Sequence, residues 1–309
     1  MAFKLFYYIK RFGYNALPNA FFERNYERLL EFEKHCDQEE LNYRLNYYLK
    51  INQNFEIPSH GVAIKDFKRT RGTDYYLDLK DFLRYFPGQA RFVYKFGDDT
   101  NVNPFPTLIK ARPIHGANAN SVLFKLNKKR HFTWVDDTVS FSEKKDQLVW
   151  RGGAYKALRK EFVQEFWNNP HCNVGQTNKT KERGPWQKDY LSVSNQLQYK
   201  FVFCPEGNDV ATNLKWAMSS NSLCFMPKPM YETWFMEGVL APGVHYVELA
   251  EDYSDLEDKI NYYANHIKEA EKIIENAHKH VARFQNNDFE DLLCIKVLEV
   301  YFRLGGQIA

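Results

Sequence analysis

The chain has 309 residues, 44% hydrophobic and 17% aromatic, enough to bury the core of one large α/β domain or two of ordinary size, which excludes disorder for most of its length. Its 42 basic and 39 acidic residues leave a net charge of +3, so bulk electrostatics exclude a general polyanion binder, count against nucleic acid as a partner, and confine any basic site to a local patch. Five cysteines (Cys36, Cys172, Cys204, Cys224, Cys294) form no CxxC pair, which argues for a reducing compartment and against a disulfide framework or zinc cluster.

No apolar run approaches the roughly 20 residues that span a bilayer. The N-terminus, MAFKLFYYIKRF, is interrupted by Lys4, Lys10 and Arg11 and lacks the core of a signal peptide. It reads either as an interfacial element, with Phe3, Leu5, Phe6, Tyr7, Ile9 and Phe12 meeting lipid, or as a first helix packed on its own domain. Helical spacing follows over residues 25–34 and 39–49. Residues 61–66 then read as a strand, 75–86 as a helix closed by Pro87 and Gly88, and 90–96 (ARFVYKF) as a strand. Asp98 and Asp99 follow that strand's carboxyl end, where ligands sit in open α/β sheets. Adjacent carboxylates there suit a divalent cation or a general base, or simply cap the loop. Residues 108–126 gather Lys110, Arg112, His115, Asn118 and Asn120 around a Pro and a Gly, a density of donors that suits a sugar or phosphate. Arg130 and His131 precede an aromatic strand at 132–135.

From residue 147 a theme recurs. Residues 147–150 form a strand, Arg151, Gly152 and Gly153 a turn, and 155–167 a helix carrying Lys156, Arg159 and Lys160. The pattern is neither GxGxxG nor a P-loop. Residues 168–198 are polar, with lysines and an arginine at 179, 181 and 183, and read as a mobile loop or a solvated face. The apolar run 199–204 then ends in the turn Pro205, Glu206, Gly207, Asn208, Asp209, and 211–219 resumes at helical spacing with Lys215 one turn in. Strand, glycine turn and helix together leave N–H groups and a dipole end suited to a diphosphate, although the same shape is common in α/β domains that bind nothing there. Residues 222–226 and 243–249 read as strands, 231–240 as an amphipathic segment, and 256–266, 268–282 and 288–304 as helices, the first capped by Ser254 or Asp255.

The runs WRGG (150–153), EGND with LKW after it (206–216), SNSLCFMP (220–227), YETWF (231–235) and HYVEL followed by DYSDL (245–256) occur in this order. Together they resemble the family-90 glycosyltransferases, which include capsule-associated xylosyltransferases, protein O-glucosyltransferases and bacterial lipopolysaccharide-core enzymes; the likeness is nearest the bacterial branch and runs from about residue 90 to the C-terminus. The resemblance implies an α/β fold of GT-B type: two Rossmann-like domains facing a cleft, with C-terminal helices. The first, 1–146, would serve the acceptor, and the second, 147–309, a nucleotide sugar, usually a UDP-sugar. It further implies inversion at the anomeric carbon, no bound metal and no resident cofactor, the nucleotide sugar being a substrate. Asp98 matches the family's catalytic base. Arg151, Gly152, Gly153, Lys156, Arg159, Gly207, Asn208, Asp209, Asn213 and Lys215 form the expected donor set, and Asp99, Lys110, Arg112, Asn118 and Asn120 the acceptor or sugar set.

Two departures stand out. Ala211 and Asn213 replace the serine and arginine with which many relatives grip the diphosphate, and Ala154 stands where eukaryotic members carry arginine, leaving Lys156, Arg159 and Lys215 to substitute. The expected acceptor is a lipopolysaccharide-core or related glycan, lipid-linked or free, in the cytoplasm with peripheral contact at the inner face of the inner membrane. The alternative is a non-catalytic binder of a nucleotide or anionic glycan that keeps the fold.

Overall fold

A computed structural model describes residues 8, 11–14, 17–179 and 184–309. The interfacial positions Phe3, Leu5, Phe6, Tyr7 and Ile9, and the loop residues Lys181 and Arg183, lie outside them. Two units are present: the described part of Met1–Lys128 with Gln285–Ala309, and Lys129–Phe284. The sequence reading instead divides the chain between 146 and 147 and leaves the last helix with the second domain.

The first unit opens with α1 (Asn19–Glu33) and α2 (Gln38–Tyr48). Asp37 caps α2, its carboxylate accepting the Glu40 N–H at 3.0 Å. After β1 (Val62–Ala63), Gly72 takes a left-handed turn (φ +66°) that starts α3 (Thr73–Leu83). The strand expected over 90–96 is two, β2 (Arg91–Phe92), antiparallel to β1, and β3 (Tyr94–Lys95). The break falls at Val93, whose N–H donates to the Tyr301 hydroxyl at 3.1 Å. Then come β4 (Thr107–Ile109), β5 (Ala111–Pro113) and β6 (Ser121–Leu123). Strands β3, β4 and β6 pair in parallel, so their carboxyl ends share one edge.

A short α4 (Lys128–His131) leads to the second unit. No strand forms at 132–135. The Val135 N–H is satisfied by the Ser219 hydroxyl (3.1 Å), and Asp137 receives the Asn221 backbone N–H (2.9 Å), so side chains replace a ladder. The unit's sheet comprises β7 (Lys145–Gly152), β8 (Cys172–Gln176), β9 (Tyr199–Phe203), β10 (Leu223–Pro227) and a later strand at 247–249, all parallel. Helices α5 (Ala157–Phe166), α6 (Val193–Gln196) and α7 (Leu214–Met218) lie between these strands in sequence. The segment 231–240 is the short strand β11 (Tyr231–Thr233) and a 3-10 turn, Glu237–Val239, rather than one amphipathic helix; β12 (Val247–Leu249) follows. Numbered within the sheet, the strand order is 2-1-3-4-5, with the order reversing between β7 and β9. Strand β9 is buried throughout, which explains its unbroken apolar and aromatic run.

Helix α8 (Leu256–Asn265) starts after Asp255, but the Asp255 side chain caps nothing: it accepts the Ala250 N–H at 3.0 Å and pairs with Lys259 at 2.5 Å. Helix α9 (Ile267–Ala282) completes this unit. The last helix, α10 (Asn287–Leu304), is capped by Asn286 and returns to the first unit, packing on α1, α2 and α3. Buried Glu290 on α10 receives Arg44 (2.6 Å) and Lys125 (2.7 Å), so the helix is fastened by charge as well as by its apolar face. Among the described residues no helix is long and apolar enough to cross a membrane.

Candidate active site

Asp98 and Lys110 follow adjacent parallel strands, β3 and β4, whose register sets Lys95 opposite Ile109. The two side chains therefore meet at one sheet edge, where the Lys110 ammonium bonds Asp98 Oδ1. Lys110 is 2% exposed while Asp98 is 28% exposed, so the cation is held inside and the carboxylate keeps a face toward solvent. The Tyr75 hydroxyl reaches Asp98 at 3.4 Å and receives the Asn127 amide at 3.3 Å. Asn127 adopts a left-handed conformation (φ 57°), which asparagine tolerates better than most residues. Asp99 is a different kind of carboxylate. It caps the loop by accepting the Asn101 N–H and side-chain amide, each at 2.9 Å, and pairs with Lys95 at 2.7 Å. Lys95 and then Asn101 hold it below the ordinary carboxylate value.

The rest of the expected sugar set is engaged by hydrogen bonds within the fold. Arg112 is fully buried and donates to the carbonyls of Tyr47, Tyr48 and Ser121, at 2.6, 3.2 and 3.0 Å, fastening the end of α2 to the sheet. Buried Asn118 donates to Pro113 O (2.7 Å) and accepts from Lys50 (3.2 Å), and Asn120 donates to Asn103 O at 3.1 Å. These donors are directed at backbone carbonyls of the α2 end and of neighbouring loops.

In the second unit the two turns flank the point where the strand order reverses. Arg159 ties them together: Nη1 donates to Gly153 O (3.2 Å), Nε to Glu206 O (2.9 Å) and Nη2 to Pro205 O (2.8 Å). A Cβ at Gly207 would lie 2.9 Å from Nη2, so glycine there admits the guanidinium. Burial, then Arg130, pushes Arg159 down from its ordinary value. Arg151 lies on β7 rather than in the turn, and grips Asn173 of β8 through O (2.6 Å) and Oδ1 (2.7 Å). The Ala154 N–H donates to Asn178 Oδ1 at 2.7 Å. Lys156 is exposed and precedes α5, whose first turn has no side-chain cap.

The second turn departs from expectation. The helix expected over 211–219 is only the five-residue α7, because Asn213 donates its amide to Phe203 O (2.8 Å) and holds the preceding residues as a turn. Lys215, expected to reach the diphosphate, is 1% exposed and ion-paired with equally buried Glu237. Glu237 also accepts the Thr233 N–H (2.6 Å) and hydroxyl (3.0 Å), so the pair locks α7 to the 233–237 turn. Asn208 is exposed and Asp209 buried.

Sequence reasoning gave Glu206 no role. Its Oε1 accepts the N–H groups of Met230 (3.0 Å) and Tyr231 (3.1 Å). Burial outweighs those bonds and, with Glu237 and Asp209 nearby, pushes it up to about 7. The signal was an acid next to a turn glycine directly after a buried strand.

In the second unit, a parallel sheet whose strand order reverses between two glycine turns has the α/β arrangement that offers a ligand crevice at that point. The family model for glycosyl transferase family 90 matches residues 127–304, and the chain belongs to that family. It is 40% identical over 304 residues to the O-glucosyltransferase LpsA of Dichelobacter nodosus, covering 97% of this chain and 96% of that protein. It is also 32% identical to protein O-glucosyltransferase 2 of Danio rerio over 140 residues, covering 43% of this chain and 28% of that protein. The resemblance read from the ordered motifs is thereby established, and the chain is a glycosyltransferase.

Proposed function

We propose that the enzyme is a metal-independent, inverting hexosyl- or pentosyltransferase of GT-B type, moving a sugar from a UDP donor to a lipopolysaccharide-core or related glycan acceptor. The observation that carries the reading is Asp98, a part-exposed carboxylate on a strand edge with its cation held behind it. In this reading Asp98 takes the proton of an acceptor hydroxyl as that oxygen attacks the anomeric carbon. The bond from that carbon to the diphosphate oxygen breaks, and its electron pair leaves with the diphosphate. Lys110 and Tyr75 hold Asp98 rather than touch substrate.

The donor is assigned to the second unit. The strand-order reversal, the uncapped start of α5 and exposed Lys156 support a diphosphate beside Gly152 and Gly153. Arg159 and the Lys215–Glu237 pair shape the turns, so backbone N–H groups carry most of the anion's stabilisation as charge develops on it. No resident cofactor enters the scheme. The relative's name makes glucose the first sugar to test. Incubation with a panel of UDP-sugars, with and without a lipopolysaccharide-core acceptor, is expected to release UDP slowly alone and faster with acceptor. Binding of UDP-sugar without release under any acceptor would favour the non-catalytic binder instead.

A further inference from the structure

We propose that the first unit carries a second, non-catalytic binding site for a single sugar residue, in the cavity between α1, α3 and α10 bounded by Asn25, Asp81, Tyr85 and Asp291. The cavity holds about 240 Å³, below the roughly 300–1,000 Å³ of sites for drug-sized ligands and of a size for one ring. Its walls carry acceptors whose hydrogen-bonding capacity the protein leaves unfilled. Asp81 is nine-tenths buried; Oδ2 pairs with Arg11 at 2.7 Å, while Oδ1 is buried without a hydrogen bond, its nearest cation Arg84 standing 3.9 Å away. The Asp291 carboxylate, on α10, takes part in no hydrogen bond or ion pair among the described residues. A buried oxygen such as Asp81 Oδ1 is rare because it forfeits its water without replacement. Burial accordingly pushes Asp291 up from the ordinary carboxylate value.

Donors face the same space. Tyr85 accepts the Asn25 amide at 3.0 Å, which leaves its own proton for another acceptor, and the Lys128 ammonium stands 3.8 Å from Asp81, beyond a tight pair. Acidic Asp78, Asp81 and Asp291 are offset by Arg11, Arg84 and Lys128, so the surroundings of the cavity are near neutral and suit a polyol better than an ion. Neighbouring hydroxyls can donate to Asp291 and Asp81 and accept from Tyr85 and Lys128, and the Tyr85 and Phe82 rings offer apolar wall to the sugar's C–H face. In a glycosyltransferase, such a site would retain a glycan away from Asp98.

Saturation-transfer NMR on the full chain, with glucose, galactose and N-acetylglucosamine as probes and excess UDP present, tests this. At least one sugar is expected to show transfer that survives UDP, and Asp291→Asn is expected to weaken it about tenfold with the melting temperature and UDP release from the donor unchanged. Tyr85→Phe, which removes one oxygen, serves as the variant if Asp291→Asn does not fold, with a loss of the same sign. No transfer from any sugar, transfer abolished by UDP, transfer insensitive to the folded variant, or displacement of the sugar by methylammonium would each overturn the proposal.

Discussion

Two lysine–carboxylate pairs, Lys110–Asp98 in the first unit and Lys215–Glu237 in the second, join residues well separated in sequence. Both lysines are buried, yet Asp98 is 28% exposed and Glu237 only 1%. Glu237 has its oxygens taken by Lys215 and Thr233, so it can only hold structure. Asp98 is held by Lys110 and Tyr75 yet keeps part of its side chain exposed, the condition for a group that must accept a proton from outside. Which member of a pair reaches solvent separates chemistry from architecture.

The comparison breaks most visibly through stability. Lys215→Met strands a buried carboxylate and is expected to cost about 3–5 kcal/mol, read as a lower denaturant midpoint. Lys110→Met leaves Asp98 in contact with solvent, so its stability loss should be smaller than that of Lys215→Met. It should instead lower kcat about tenfold, roughly 1.4 kcal/mol, with donor KM unchanged. Equal stability losses in the two variants would erase the distinction.

Glu206 sharpens the comparison through pH. Its folded-state value is raised to about 7, so its contribution to stability is present below the ordinary carboxylate range and is lost as pH rises through about 7. With an anionic donor beside the turn, ionisation also adds repulsion. Donor affinity should fall across that window, and Glu206→Gln should flatten the profile in calorimetric titrations with UDP. The smallest effect belongs to exposed Lys156: Lys156→Ala should raise donor KM about threefold, within the range of a surface charge, and added salt should shrink the difference.

Much of this was legible in sequence because it is local. The glycine turns after β7 and β9 announce themselves by apolar runs that stop at Gly and Pro, and the ordered motifs identify the family. Strand β8 was hidden because CNVGQ, at the sheet edge, reads as polar loop. For Arg112, Asn118 and Lys215, residue type reveals a donor but not where it points, and buried carbonyls or a carboxylate engage all three. The return of α10 to the first unit depends on partners such as Arg44, far away in sequence, which no local spacing encodes.

The central claim is that Asp98 performs the proton transfer while the second unit holds the donor. Asp98→Asn keeps shape and loses basicity, and its transfer rate should be measured beside UDP-sugar affinity and melting temperature. A fall in kcat of about 10²- to 10⁴-fold, with donor affinity and melting temperature unchanged, is the predicted result; unimpaired transfer by Asp98→Asn would contradict it.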